Sequence, residues 1–267
     1  METFFRMTPP RMLACVIALG AALVASPGKA DWMLLGGVEE VFDGRFVQLT
    51  ALFPFSGQLG SGFIHRYSMH YLEYEYPVED GLVEADSWSG SVAIGYQIPV
   101  TNGWLGFAAG PAYRNTNYTP SQPDNRQEGS RVVAQMDVDA GLLHADRWLY
   151  AASISYTPRY RAYWGRARVL MRTSPRTFLG PEFVAHGDRD YDAQQYGLAL
   201  QLNRVIGPLD VVIKPGAKRI RDGDNGAYGG IEFCGTSIEV LAFPLPLSSP
   251  QRFLDSARPA VFAQAPA

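Results

Sequence analysis

From Trp88 to Ile98 the chain alternates with a period of two. Trp88, Val92, Ile94, Tyr96 and Ile98 share one parity, and Ser89, Ser91, Ala93 and Gln97 share the other. Successive side chains of a β-strand point to opposite faces, so a segment of this kind has one apolar and one polar face. The pattern recurs about a dozen times along the chain, and a sheet of that size needs a solvent for each face.

Reading by this period places strands at 32–42, 45–55, 62–76, 86–98, 103–117 and 129–143. A second set follows at 147–157, 160–171, 176–186, 191–204, 209–220 and 227–243. The sixth is the cleanest: Val132, Ala134, Met136, Val138, Ala140 and Leu142 alternate with Arg131, Val133, Gln135, Asp137 and Asp139. The seventh repeats it, with Trp148, Tyr150, Ala152, Ile154 and Tyr156 opposed to Ala151, Ser153, Ser155 and Thr157.

A soluble β-sandwich alternates too, so periodicity alone leaves open which face is wet. Length and aromatic placement decide. The runs reach or exceed the roughly 9–11 residues of a transmembrane strand, and aromatics gather near their ends as interface girdles require. The expected fold is an all-β, antiparallel, up-and-down transmembrane barrel of about 12 strands in the outer membrane, with outer-membrane lipid as its surroundings.

In such barrels the periplasmic turns are short and the extracellular loops longer. The longest connections, around 77–85 and 118–128, are both odd-numbered and are assigned outside. The even-numbered connections 99–102, 144–146, 172–175 and 205–208 are short and 56–61 is intermediate, but the odd connections Asp43-Gly44 and Pro158-Arg159 are short too, so the rule holds in part. Pro111, Pro181 and Pro215 fall inside strands, each beside a glycine, and are expected to mark bulges or strand shifts.

At the N-terminus, Arg6 and Arg11 precede an apolar run from Met12 to Ala25, and Gly28 and Ala30 stand before Asp31. This is the layout of a cleavable secretory signal over residues 1–30. Cys15 begins the apolar run instead of following it, which argues against lipoprotein processing. Removing the signal leaves Cys234, expected to be a small buried or lipid-facing residue. The barrel is expected to occupy 31–243, with Phe243 as its closing aromatic, and a proline-rich tail 244–267 to follow.

Composition excludes other classes. A mean hydropathy of -0.08 is too low for a polytopic helical membrane protein. A net charge of -3, without a basic stripe, gives no reason to expect nucleic acid as a partner.

Several segments carry a resemblance. They are Asp86-Ser87-Trp88 through Gly95-Tyr96-Gln97; Tyr113 with Pro120, Asp124 and Gly129; and Tyr160, Tyr163-Trp164, Arg166 and Arg168. Gly180-Pro181-Glu182 and the stretch from Gly187-Asp188 to Tyr191-Asp192-Ala193-Gln194 complete the set. In order and spacing the chain resembles the bacterial cellulose biosynthesis protein S (BcsS) family of outer-membrane barrels. The resemblance implies a role in producing, exporting or anchoring cellulose, with cellulose and other cellulose biosynthesis proteins as partners.

The most suggestive charged constellation is Arg166, Arg168 and Arg172 on one parity of the eighth strand, Glu182 on the ninth, and Asp137 and Asp139 on the sixth. Facing the lumen, these residues either fill a narrow barrel with ion pairs or line a substrate path. A glucan is neutral and offers hydroxyls and apolar ring faces. Tyr163 and Trp164, with Tyr160, are therefore candidate glucan-facing aromatics if turned inward, and girdle residues otherwise.

Other clusters are weaker. The loop His186 to Asp192 is acid-rich, but it lacks the spacing and closing Glu of a calcium loop and reads as a solvated turn. Ser68 and His70 are the nearest approach to a nucleophile and base on one strand face, which keeps a barrel enzyme acting on lipids as the rival class. A small-solute porin is the third. Glu73 and Glu75, among Tyr71, Tyr74 and Tyr76, read as a polar strand end. The expectation is a non-enzymatic accessory of cellulose biosynthesis that needs no cofactor or metal.

Overall fold

A computed structural model describes residues 32–55, 58–78, 81–121, 127–189, 191–221 and 225–236. Twelve strands follow in order: β1 (Met33–Val41), β2 (Gly44–Pro54), β3 (Gly62–Val78), β4 (Gly81–Val100), β5 (Gly103–Thr119) and β6 (Gly129–His144). Then come β7 (Trp148–Thr157), β8 (Ala162–Ser174), β9 (Thr177–Gly187), β10 (Asp192–Ile206), β11 (Leu209–Ile220) and β12 (Asn225–Thr236). Each pairs antiparallel with its neighbours in sequence, and β1 pairs with β12, closing the cylinder. Closure removes the unpaired edges that an open sheet presents, which is what lets strands cross a bilayer.

The period of two fixes which side chain looks where. Met69, Ile94, Phe107, Val132, Met136, Ile154, Leu198 and Ile213 point outward and are exposed. Inward positions carry Gln48, Thr50, Arg66, Ser87, Arg114, Asp137, Arg168 and Glu232, all buried. A soluble protein would have the reverse, with apolar residues inside. The outer surface is an apolar band suited to acyl chains, bounded below by a Phe63–Tyr96 ring pair (4.9 Å) and above by Trp88–Tyr113 (4.9 Å).

The even-numbered turns, the start of β1 at Met33 and the end of β12 at Thr236 lie at one end of the barrel, taken as periplasmic. The β6–β7 turn is tight, with Ala145 and Asp146 both at positive φ, the twist that two-residue hairpins prefer.

Two expectations change. The region 77–85 is not a long loop: β3 and β4 stay paired up to Val78 opposite Gly81, so the hairpin rises as a raised ribbon. The missing sequence signal is physical, because beyond the bilayer the outward face meets water and no longer needs apolar residues. The prolines do not shift the register. Pairing resumes in the same frame on either side of Pro111 and Pro181, and runs continuously past Pro215 on its β12 side. At Gly110 and Gly180, which precede two of these prolines, a Cβ would overlap the carbonyl oxygen of Val92 or Val169. The glycine lets the chains close up where the proline forfeits a ladder bond. The register shifts of β8–β9 and β10–β11 lie at the periplasmic ends instead.

The twelfth strand is described to Thr236. The expected signal, Phe243 as closing residue and the proline-rich tail all lie outside the described residues.

Candidate functional site: a filled lumen

The lumen is built in tiers. At the periplasmic end lies an apolar floor of Met33, Leu35, Leu52, Ile64, Trp104, Leu143, Leu149, Ala151, Leu170, Phe178, Ala199, Val212 and Cys234, against which Leu59 packs. Every strand except β4 contributes to it. Cys234 is thus an inward core residue and not a lipid-facing one.

Above the floor sits an ionic belt. Arg168 lies directly across the ladder from Glu182, and the two form an ion pair. Glu232 takes Arg166 at 2.5 Å, Arg168 at 2.9 Å and Lys214 at 2.8 Å, and Lys214 also reaches Glu39 at 2.6 Å. Gln195 donates to Glu39 at 2.7 Å. Side-chain exposure in Arg166, Arg168, Glu182 and Glu232 is 0–1%. Three cations, Arg166, Arg168 and Lys214, therefore meet three anions, Glu182, Glu232 and Glu39, and the belt is neutral. Buried ions survive only in such mutual neutralisation with their hydrogen bonds made.

One row of the ladder shows how the sequence builds this. Tyr228, Gly216, Gly197, Glu182 and Arg168 are consecutive register partners from β12 to β8. A side chain at Gly197 or Gly216 would overlap the Tyr228 ring, which lies across both glycines and brings its hydroxyl to 3.4 Å from Glu182.

A second cluster faces the belt from β3 and β6. Arg66 donates to Asp139 at 2.7 Å, Ser153 also donates to Asp139, and Gln135 donates to Asp137 at 3.1 Å. Ser68 accepts from Thr50 at 3.0 Å, and His70 Nδ1 sits 3.4 Å from Ser89. Ser68 and His70 face the lumen and are buried, away from acyl chains outside the wall.

The mouth is strapped across. Arg114 stacks on Tyr160 (5.7 Å) and donates to Gln127 at 3.1 Å, which donates to Asp188 at 2.5 Å, tying the β5–β6 connection to that of β9–β10. Lys218 pairs with Asp43 at 2.9 Å and lies against the Tyr191 ring. In the acid-rich 186–192 stretch, Asp188 accepts the Tyr191 N–H at 3.1 Å and donates its own N–H to the Tyr191 carbonyl at 2.8 Å. Burial, with Asp43, Asp188 and Asp192 nearby, holds the Tyr191 phenol above its ordinary pKa.

Of the sequence-derived candidates, Asp137, Asp139, Trp164, Arg166, Arg168 and Glu182 point inward. Tyr163, one residue from Trp164, takes the outward face and donates to Asp192 at 2.9 Å. Arg172 stacks on Phe178 in the floor tier and stays out of the belt. Sequence reading missed Glu232, Lys214, Glu39 and Arg66. The signal for Glu232 was present, because outward Ile231 and Phe233 put it on the inward parity. Its partners on β8 and β11 were not readable.

The fold and its surfaces define a transmembrane β-barrel of the outer-membrane type with a packed interior. Its family follows from the sequence: the model for cellulose biosynthesis protein BcsS matches residues 37–236, nearly the whole cylinder, and the chain belongs to that family. Among curated proteins there is no significant match. Solved structures similar in fold include the COG4313 outer membrane channel from Pseudomonas putida F1, at 11% identity and TM-score 0.49, covering 79% of this chain and 97% of that one. The β domain of the Bordetella autotransporter BrkA follows at 13% identity and TM-score 0.45, covering 77% and 98%. The KdgM porin stands at 9% identity and TM-score 0.43, covering 76% and 98%.

Proposed function

We propose that this barrel is a non-enzymatic anchor that holds cellulose, or the machinery producing it, at the outer surface, and is not the conduit through which the glucan leaves. The observation that carries this reading is the filled lumen: a neutral belt of six charges, five of them buried and Glu39 nearly so, above an apolar floor drawn from eleven strands. A conduit for a glucan chain needs a continuous passage lined by hydroxyl partners and ring faces. Here, opening one would part Arg166, Arg168 and Lys214 from Glu182, Glu232 and Glu39 and turn the apolar floor to water. An open porin would also leave its lumen charges hydrated, whereas these are shielded from water.

Deleting the gene and dividing total glucan into cell-bound and released fractions tests the proposal. An anchor predicts unchanged total cellulose with the cell-bound share reduced, restored by the wild-type gene. A fall in total output with glucan retained behind the outer membrane would overturn it in favour of export, and unchanged amount and distribution would overturn both.

A further inference from the structure

The raised β3–β5 ribbon carries polar outward rows immediately above the Trp88–Tyr113 girdle, and neither the fold nor the lumen uses them. β3, β4 and β5 run 17, 20 and 17 residues, against 10 in β7. Its inward face is occupied, with Val83, Ala85 and Tyr118 buried together and Tyr74 against them. The outward face is arranged in rows. Tyr71, Trp88 and Asn115 are register partners across the three strands, and Glu73, Asp86 and Asn117 form the next row up.

We propose that this face is a docking strip for an extended, uncharged β-linked glucan, an inference that rests on the anchoring function above. Aromatic rings supply the flat surfaces: Trp88 is 45% exposed and Tyr113, one outward row below it, 37%, their rings 4.9 Å apart and tilted. The polar side chains beside them are held in place. Tyr113 donates to Ser130 at 2.8 Å, Ser130 donates to Asn115 at 2.7 Å, and Asn117 lies 3.5 Å from Asp86. Neighbouring strands lie about 4.8 Å apart. A β-linked glucan is a flat ribbon whose sugars repeat at close to that interval, so successive sugars fall over successive strands. Their faces meet the aromatic row and their hydroxyls meet the carboxylates and amides above it.

Charge selects the same occupant. Glu73 stands directly opposite Asp86, and Glu75 opposite Glu84, while Arg45, across from Glu73 on β2, is already paired with Glu40. Like charges so placed destabilise a sheet, and their field repels phosphate- or uronate-bearing polymers while leaving a neutral one unpenalised. The contrast with the lower girdle is informative. Phe63 and Tyr96 lie at the barrel rim, where β3 begins at Gly62, with no polar rows beyond them.

The test uses the full mature chain refolded in lipid nanodiscs and sedimented with regenerated cellulose or with polygalacturonate. The wild type is expected to sediment with cellulose and not with polygalacturonate. Trp88→Ala should weaken cellulose binding tenfold or more, and Asn115→Ala several-fold, while Tyr96→Ala leaves it unchanged. Asn115→Ala keeps the test decisive should Trp88→Ala fail to refold. Absence of wild-type binding, equal binding to polygalacturonate, or equal loss in Trp88→Ala and Tyr96→Ala would each overturn the strip. In cells, a Trp88→Ala strain that keeps its surface cellulose while a deletion strain loses it would overturn the strip and leave the anchoring function standing.

Discussion

Neutralising Glu232 is the sharpest test of the ionic belt. Glu232→Gln keeps the shape but leaves Arg166, Arg168 and Lys214 facing only Glu182 and Glu39, an uncompensated buried cation. Glu232 makes contacts of 2.5, 2.9 and 2.8 Å to those cations, with its side chain 1% exposed. Breaking a buried pair by removing one partner costs about 3–5 kcal/mol, a large fraction of the roughly 5–15 kcal/mol that holds a typical domain folded. The assay is urea unfolding in phospholipid vesicles, followed by tryptophan fluorescence and extrapolated linearly. A comparison variant, Glu40→Gln, removes a pair with Arg45 at 2.7 Å whose carboxylate side chain is 60% exposed, and should cost less than about 1 kcal/mol. The double variant Arg166→Met/Glu232→Leu restores two cations against two anions and should recover most of the loss, since apolar replacement of a buried pair is often neutral. If Glu232→Gln unfolds like the wild type, or no more easily than Glu40→Gln, the belt is not a buried, mutually neutralising network.

Other perturbations probe other parts of the structure. Ile154→Arg places a charge on an outward position 53% exposed and should cost about 2–4 kcal/mol in a bilayer, read in the same unfolding assay, whereas Ile154→Leu is neutral. Gly197→Val brings a side chain against Tyr228 and to 2.6 Å from the Pro215 carbonyl; it should destabilise by about 1–3 kcal/mol and be partly rescued by Tyr228→Ala. Leu170→Ala opens a hole in the apolar floor, where Leu170 is fully buried, and should cost about 2–5 kcal/mol.

The strand count, the closure into a single cylinder and the parity of most strands were legible because the bilayer imposes them: every lipid-facing position must be apolar and every strand must alternate. β6 and β7 illustrate this, with Val132, Met136 and Ile154 outside and Asp137, Asp139 and Ser153 inside. Legibility failed where that solvent pressure stops. Residues 77–78 and 81–85 are paired strand that reads as loop, since water bathes the outer face there. The prolines read as bulges because the compensating approach at Gly110 and Gly180 depends on the neighbouring strand. Within the lumen, parity indicated that Arg166, Arg168 and Glu182 share a face. It could not join Arg166 to Glu232, or Lys214 to Glu39, because contacts across a cylinder depend on tilt and stagger. Arg66 with Asp139 is the same case, two residues 73 positions apart that meet across the interior.

The central claim is that this closed barrel carries a filled interior, and ion current through the refolded protein in a planar bilayer tests it most directly. The account predicts insertion without steady conductance, because the apolar floor and the ionic belt both lie across the lumen. Stable, wild-type open-channel steps proportional to salt concentration would contradict it.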